Sequence, residues 1–321
     1  MSATASAVTD PPLGQQARPL YGIILKVMSV ALFVLMATAL KATHTIPTGQ
    51  LVFFRCAFAM LPVLAYLGWR RQIGRAFATR RPMAHFLRGL AGVSSMGLGF
   101  FALTRLPLPE STAIGYATPL LLVVFSAVFL KEQVRLFRWS AVLVGMLGVL
   151  IILWPRLTLF SGGGAMSNAE TIGAIAAMGG AVLSAIALLQ VRQLVQTEHT
   201  EAIVTYFFIS ASILSLLSLP FGWVMPSFEQ AILLITAGVC GGIAQLLMTS
   251  SYRHADLSVI APFEYVSLIL TIGIGYAVFA DVPTGPMLMG AAIIIVSGIA
   301  VILREHYLGV DRAKSSKANT P

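Results

Sequence analysis

The stretch LSVIAPFEYVSLILTIGIGYAVF, residues 257–279, carries Pro262 and Glu264 inside an apolar segment that is long enough to cross a bilayer. An earlier apolar stretch, STAIGYATPLLLVVFSAVFL (111–130), carries Pro119 at a similar depth. The two stretches lie about half a chain apart, as an internal duplication would place them. A carboxylate and a helix-breaking proline are costly in lipid unless they face a cavity inside the protein. The sequence therefore predicts a duplicated membrane protein with a polar path through it.

The composition excludes an ordinary soluble protein. Of the 321 residues, 57% are hydrophobic and only 10% are charged, whereas a soluble domain carries roughly a quarter charged residues. The apolar runs do not alternate every second residue, as the strands of a membrane β-barrel would. The net charge of +9 comes from basic residues in short loops between apolar runs, a pattern that encodes membrane topology. We therefore expect an all-α membrane protein that contacts the lipid bilayer and binds no nucleic acid.

Ten apolar runs predict ten transmembrane helices, at 20–41, 48–69, 83–104, 110–130, 136–154, 170–192, 202–223, 229–251, 257–279 and 285–303. Most of the loops are short, so consecutive helices are expected to be antiparallel neighbours. The one long break, 155–169, is rich in Gly and Ser and lies near the midpoint of the chain. It divides the chain into a first repeat, 20–154, and a second repeat, 170–304. A disordered N-terminus, 1–19, and a polar tail, 305–321, flank them.

The basic residues predict the orientation. If the N-terminus is cytoplasmic, the inner loops and the tail hold most of the positive charge, and the outer side keeps three basic residues. The inner group includes Arg70, Arg71, Arg75, Arg80, Arg81, Lys131, Arg135 and Arg138, and the outer group is Lys41, Arg105 and Arg156. This asymmetry predicts that both termini are cytoplasmic and that the linker is external. An odd number of helices per repeat inverts the second repeat relative to the first, which is a secondary-transporter architecture.

Several segments resemble one known family. They are FFRCAFAMLPVL (53–64), HFLRGLAG (85–92), LPLPESTAIGYATPLLLVVFSAVFLKEQV (106–134) and LSVIAPFEYVSLILTIGIGYAVFADVP (257–283). In their order and spacing they are similar to EamA-type members of the drug/metabolite transporter superfamily, over roughly 20–304. The resemblance implies a basket in which helices 1–4 and 6–9 surround a central cavity, with helices 5 and 10 at the periphery and transport by alternating access. It also implies similarity to amino-acid exporters and to carriers of S-adenosylmethionine or riboflavin.

The predicted function is secondary active transport of a small organic metabolite across a bacterial cytoplasmic (inner) membrane. The substrate could be amino-acid-like, flavin-like or nucleoside-like, and the coupling partner could be a proton or an exchanged counter-substrate. The sequence leaves both monomer and homodimer open, and it predicts no cofactor and no metal. The alternatives are an intramembrane enzyme, which would need a nucleophile–base pair or a metal cluster, and a channel, which would need polar rings along a pore.

Four charged residues lie at membrane depth. At about 1.5 Å per residue, Lys26, Arg88 and Glu264 lie about 8–10 Å along their helices from the inner face, and Arg55 lies about 10 Å below the outer face. We expect Glu264 to pair with Arg88 or Lys26 and to help close an inner gate, or to meet a cationic substrate or take a proton. Lys26 and Arg88 could instead snorkel to the inner headgroups. Arg55 could snorkel outward, or its guanidinium could anchor a substrate carboxylate or phosphate.

The remaining candidates are prolines, aromatic residues and uncharged polar residues. Pro119 and Pro262 are either tolerated kinks or a pair of hinges, one in each repeat. Aromatic rings with hydroxyl groups suit a planar or amphipathic ligand, although such rings also fill helix interfaces. The predicted cavity residues beyond Glu264 and Arg55 are Tyr116, Thr118, Phe263, Tyr265, Gln190, Gln245 and Ser94.

Overall fold

A computed structural model describes residues 19–129, 136–157, 168–194, 197–254 and 261–318 of the chain. This part is almost wholly helical. Its α-helices are α1 Pro19–Ala42, α2 Thr48–Trp69, α3 Ile73–Phe77, α4 Pro82–Leu103, α5 Leu108–Gly115, α6 Ala117–Phe129, α7 Leu136–Leu157, α8 Asn168–Leu194, α9 Thr200–Leu216, α10 Phe228–His254, α11 Val266–Phe279 and α12 Gly285–Ala318. Two short 3₁₀ segments, Leu219–Phe221 and Ala261–Tyr265, accompany them.

Within the described ranges, six helical segments are long and apolar enough to cross a membrane. They are Leu20–Ala42, Thr48–Trp69, Pro82–Leu103, Leu108–Phe129, Ala169–Val191 and Phe228–Ser251. Four shorter apolar helices, of 10–17 residues each, are Trp139–Trp154, Glu201–Leu216, Phe263–Phe279 and Gly285–Ala300. The chain is therefore a multi-pass membrane protein, and each of these apolar helices overlaps one of the predicted runs.

Some predicted helix boundaries are wrong, for local reasons. The run 202–223 ends as an α-helix at Leu216, because Pro220 lacks an N–H and Gly222 adopts φ 89°. The predicted helix 285–303 continues to Ala318, and α3 lies in a connection that the sequence predicted as a loop. Of the predicted disordered N-terminus, 1–19, residue Pro19 belongs to α1, and the rest falls outside the described residues, as does most of the predicted linker, 155–169.

Helices from the first half of the chain pack mainly on helices from the second half. The most extensive contacts join α1 with α10, α4 with α8, and α7 with α12. Next come α2 with α10, α4 with α9, α2 with α9, and α6 with α8. In addition, α11 lies between α1 and α5. The two halves are thus interleaved rather than separate domains, so a group on one half readily contacts a group on the other.

Two apolar cores lie side by side in this bundle. One forms mainly among α5, α6, α7, α8, α11 and α12, and the other mainly among α1, α2, α4, α9 and α10. Large apolar side chains also cover outer faces. Leu143 and Leu147 on α7 and Val296 on α12 are each more than half exposed. Such faces are suited to contact with lipid, as in a helix bundle that spans a membrane.

The helices α7 and α12 cross at a pair of glycines. A Cβ atom added to Gly148 would lie 2.7 Å from the carbonyl oxygen of Gly290 and 2.9 Å from Cγ1 of Ile294. A Cβ added to Gly290 would in turn collide with the carbonyl oxygen of Gly148. The backbones can approach this closely only because neither residue has a side chain, as is common at interfaces between membrane helices.

We predict that Gly148→Ala destabilises the protein, because the added methyl group has no space between α7 and α12. Overpacking of this kind costs about 1–3 kcal/mol. The control is Gly97→Ala in α4, where an added Cβ meets nothing within 4 Å and the gain in helix propensity is the same. The measurement is thermal unfolding of both purified variants in detergent. Equal melting temperatures for the two variants would contradict the proposed close crossing.

Candidate functional site

An ion pair joins α1 to the 3₁₀ segment Ala261–Tyr265. The ammonium group of Lys26 pairs with a carboxylate oxygen of Glu264. Lys26 is only 1% exposed, whereas the Glu264 side chain is 49% exposed. A buried ammonium group is costly without a counter-charge, and Glu264 supplies one from the other half of the chain. Of the two predicted partners for Glu264, the structure places Lys26 there, and Arg88 lies elsewhere.

Each half of the chain contains one helix break next to a predicted hinge proline. Pro119 has no N–H to bond the carbonyl of Gly115, and the helix is interrupted at Tyr116, between α5 and α6. Pro262 lies in the 3₁₀ segment that precedes α11. The first break lies about one turn before its proline, because the carbonyl that a proline leaves free is four residues earlier. The Pro119 side chain itself is exposed.

Tyr116 connects the two breaks. Its hydroxyl group contacts the hydroxyl of Ser267 and donates to the carbonyl oxygen of Glu264 at 3.4 Å. Ser267 donates to the same carbonyl at 2.7 Å. The rings of Tyr116 and Tyr265 pack edge to face with centroids 5.2 Å apart. The carbonyl of Glu264 is thus held by hydroxyl groups, while its carboxylate faces Lys26.

A second ion pair lies at the opposite end of α1. Lys41 donates to Asp281 Oδ2 at 2.8 Å and to the carbonyl oxygen of Leu106 at 2.8 Å. The N–H of Leu108 donates to the same carboxylate oxygen at 2.9 Å. We call these two regions the Lys26 end and the Lys41 end of the bundle. At the Lys41 end, one carboxylate therefore ties α1, α5 and the C-terminal end of α11 together.

The chain positions Asp281 through a left-handed turn. Ala280, which follows α11, adopts φ 54°, a conformation that is uncommon for a residue with a Cβ. The turn brings the N–H of Asp281 to the carbonyl oxygen of Gly275 at 2.9 Å. Backbone strain of this kind persists only where surrounding contacts hold it, and the bonds of Asp281 to Lys41 and Leu108 supply such contacts.

Two arginines lie in the interior between the two ends. Arg55, on α2, is 5% exposed, and its Cζ lies 5.2 Å from the ring centroid of Phe208. Arg88, on α4, lies with Cζ 3.8 Å from the ring centroid of Phe207. The side chain of Arg88 therefore packs against α9. Because Phe207 and Phe208 are consecutive in α9, they bring the two guanidinium groups to one level of the bundle.

A cavity of about 160 Å³ lies between α4, α5, α6 and α8. Ser95 and Thr118 line it, and they donate to the carbonyl oxygens of Gly180 and Ala181 at 2.8 and 3.4 Å. Thr118 thus lines this small cavity, and its place in a substrate cavity remains a prediction. Ser94 is exposed and is not among the residues that line this cavity. A larger cavity of about 340 Å³, beside Leu153 and Met178, is lined almost entirely by apolar groups.

The other predicted cavity residues are half-buried. Gln190 on α8 has a buried side-chain oxygen without a hydrogen-bond partner in the described part of the chain. Gln245 on α10 lies one turn after Gly241, and Gly241 is a neighbour of Arg55. Phe263 lies in the 3₁₀ segment beside Glu264. The roles of these three residues remain predictions.

A further contact at the Lys26 end joins His85, in the first turn of α4, to Glu198 in the connection before α9. His85 Nε2 lies 3.7 Å from Glu198 Oε2, and the N–H of Arg80 donates to Glu198 Oε1 at 2.9 Å. Burial raises the pKa of Glu198, but the hydrogen bonds from Arg80 and Thr79 and the proximity of His85 outweigh it and hold that pKa below its usual value. This carboxylate therefore remains charged at neutral pH and joins the start of α4 to the connection between α8 and α9.

The sequence analysis missed Asp281, Ser267 and the two phenylalanines of α9. The role of Asp281 could have been predicted, because it follows predicted helix 9 and Lys41 ends predicted helix 1. Two opposite charges therefore lie at helix ends on the same predicted side of the membrane. Phe207 and Phe208 gave no signal, because nothing in an apolar run shows which ring an arginine will cover.

Comparison with known proteins agrees with this architecture. The chain is 29% identical over 285 residues to the pseudopaline exporter of Pseudomonas aeruginosa, covering 87% of this chain and 95% of the relative. It is 31% identical over 254 residues to the riboflavin transporter of Vibrio cholerae, covering 78% and 82%. It is 27% identical over 266 residues to the S-adenosylmethionine uptake transporter of Rickettsia conorii, covering 82% and 84%.

One solved crystal structure superposes on this chain with a TM-score of 0.63, over 89% of this chain and 98% of the other. The two sequences are 20% identical, and the superposition shows that the two proteins share a fold. The EamA-like transporter family matches the chain twice, over residues 20–154 and 171–304. The relatives are named as transporters, and their names describe no enzyme. The protein is a transporter and belongs to the EamA-like transporter family.

Proposed function

We propose that the protein is a secondary active transporter that moves a small organic metabolite across the bacterial cytoplasmic membrane by alternating access. Ten helices cross the membrane, in two inverted repeats of five. The observation that carries this proposal is that α1 forms one ion pair at each end of the bundle, in both cases with an acid that flanks α11. A carrier needs a closure at each end that can open in turn.

The pairing of the helices supports the inverted repeat. In the proposed duplication, α1, α2, α4, α5–α6 and α7 correspond to α8, α9, α10, α11 and α12. If each helix is replaced by its counterpart, a contact between two helices becomes a contact between their counterparts. The α1–α10 contact then becomes α8–α4, the α2–α10 contact becomes α9–α4, and the α6–α8 contact becomes α11–α1. All of these contacts are present. The contacts α2–α9, α5–α11 and α7–α12 map onto themselves. A two-fold axis in the membrane plane would produce this pattern.

The ion pairs support gating between the repeats. Lys26 and Lys41 both belong to α1, whereas Glu264 and Asp281 flank α11 in the other repeat. Opening the Lys26 end requires Lys26 to leave Glu264, and opening the Lys41 end requires Lys41 to leave Asp281. The breaks near Pro119 and Pro262 lie beside the first pair and provide hinge positions for this movement.

The substrate class rests on the relatives. Pseudopaline, riboflavin and S-adenosylmethionine, the compounds in their names, are small organic metabolites with several polar groups. We propose that this chain carries a metabolite of comparable size, with Thr118, Gln190, Gln245, Phe263 and Tyr265 along its route. The coupling partner is a proton or an exchanged counter-substrate.

Both termini and the Lys26 end face the cytoplasm in this proposal, because the basic loop residues gather on that side. Cysteine labelling tests the orientation, with Gly163→Cys in the predicted linker and Ser315→Cys in the tail, each in a background without Cys56 and Cys240. We expect a membrane-impermeant maleimide to label residue 163 from the outside and residue 315 only after the cells are opened. Labelling of both residues from one side would contradict the inverted repeat.

We predict that Glu264→Gln slows counterflow in proteoliposomes by roughly tenfold or more, because Lys26 keeps its buried charge and loses its counter-charge. The assay uses a ligand that raises the melting temperature of the purified protein, found by screening amino acids, flavins and nucleosides. Glu229→Gln is the control, because Glu229 is an exposed acid at the start of α10. Unchanged rate and pH dependence in Glu264→Gln would remove this carboxylate from the mechanism.

A further inference from the structure

Arg55 and Arg88 differ from the paired cations of this bundle. Lys26 and Lys41 each contact a carboxylate. By contrast, Nε of Arg55 and both Nε and Nη1 of Arg88 are buried without a hydrogen-bond partner among the described residues. Neither guanidinium forms an ion pair with an acid in this part of the chain. Among the described residues, Arg55 makes one weak polar side-chain contact, from Nη1 to the sulfur of Cys56 at 3.8 Å.

Burying these guanidinium groups is costly. Arg55 is 5% exposed, and Arg88 is partly exposed but has Nε and Nη1 buried. An ionised group that leaves water without a counter-charge loses solvation, and a cation–π contact with the ring of Phe207 or Phe208 returns only part of that loss. Arg55 and Arg88 are also close enough for their charges to repel each other. An anion bound between them would supply the missing hydrogen-bond acceptors and remove the repulsion.

Two glycines make room for the guanidinium groups. A Cβ on Gly92 would lie 2.8 Å from Nη1 of Arg88 and 2.7 Å from the ring of Phe207. A Cβ on Gly241 of α10 would lie 3.3 Å from Nε of Arg55. The two arginine side chains thus occupy space that a side chain at either glycine would reduce. They lie between α2 and α4 of the first repeat and α9 and α10 of the second, where a central transport site is expected.

We propose that Arg55 and Arg88 together bind the carboxylate groups of an organic polyanion, and that the substrate of this transporter is a di- or tricarboxylate. This inference rests on the proposed function. A guanidinium group matches the two oxygens of a carboxylate with two parallel N–H donors, so two arginines suit a ligand with two such groups. A cationic substrate would be repelled at this position, and a neutral one would leave both charges unpaired.

Binding to the purified full-length protein tests the site without requiring transport. The probes are succinate, glutarate and citrate, each compared with its neutral amide, together with inorganic phosphate and choline. We expect at least one carboxylate to raise the melting temperature in a concentration-dependent manner, and its amide and choline to have no effect. Stabilisation by phosphate alone would overturn the polycarboxylate assignment in favour of a phosphorylated ligand.

The variants Arg55→Gln and Arg88→Gln assign the effect to these side chains. We expect each variant to weaken carboxylate binding roughly 10- to 100-fold, because a charge-assisted hydrogen bond is lost. We also expect each to raise the melting temperature of the ligand-free protein, because a buried unpaired charge is removed. Arg105→Gln is the matched control: Arg105 also covers a phenylalanine ring, with Cζ 3.5 Å from the Phe101 centroid, but it is exposed.

The outcomes separate this inference from the proposed function. Arginine-dependent carboxylate binding without counterflow would overturn the transport mechanism and leave the site in place. Counterflow of a cationic or neutral metabolite, with no stabilisation by any carboxylate, would overturn the site and leave the transporter in place. If both Gln variants instead lower the melting temperature and no carboxylate binds, the arginines are structural and the inference is wrong.

Discussion

The fold depends on how a buried ammonium group is neutralised in a bundle that lies in lipid. Lys26 is almost fully buried, and its counter-charge comes from a short 3₁₀ segment of the other half of the chain. That segment is possible in a membrane interior only where its free backbone groups find partners. Hydroxyl groups of Tyr116 and Ser267 supply them at the carbonyl of Glu264. The ion pair and the two helix breaks therefore form one unit, and the contact between the halves at this end depends on it.

Each end of α1 carries a lysine whose charge is neutralised by an acid next to α11, and the two acids have different surroundings. Lys26 and Lys41 lie fifteen residues apart, about 22 Å along a helix, and each contacts an acid next to α11. Asp281 also accepts from the backbone at Leu108 and follows a left-handed alanine, whereas the Glu264 side chain is half exposed. Asp281 therefore joins α1, α5 and the end of α11 at the Lys41 end. In the proposed mechanism, this end opens when Lys41 leaves that carboxylate.

The sequence predicts the architecture well because lipid permits few alternatives. Long apolar runs must be helices, and their number and spacing are visible without a structure. The site is predicted less well. Depth along a helix correctly placed Lys26 and Glu264 in one layer, yet it could not choose between Lys26 and Arg88, because that choice depends on rotation about the helix axis. The sequence predicts a kink or a hinge from Pro119, and the structure interrupts the helix at Tyr116, since the carbonyl that loses its partner belongs to Gly115.

Arg55 and Arg88 show that depth along a helix does not predict where a long side chain places its charge. The sequence-based estimate puts Arg55 about 10 Å below the predicted outer face and Arg88 about 8 Å from the predicted inner face, which would keep them in separate layers if each side chain took the shortest route to water. Instead, both guanidinium groups reach consecutive rings of α9, because Gly92 and Gly241 leave space for them in the interior. Snorkelling to the headgroups would cost less than burial for a long, flexible cation. Holding two such cations inside lowers the stability of the ligand-free protein, and the proposed carboxylate ligand would restore stability when it binds.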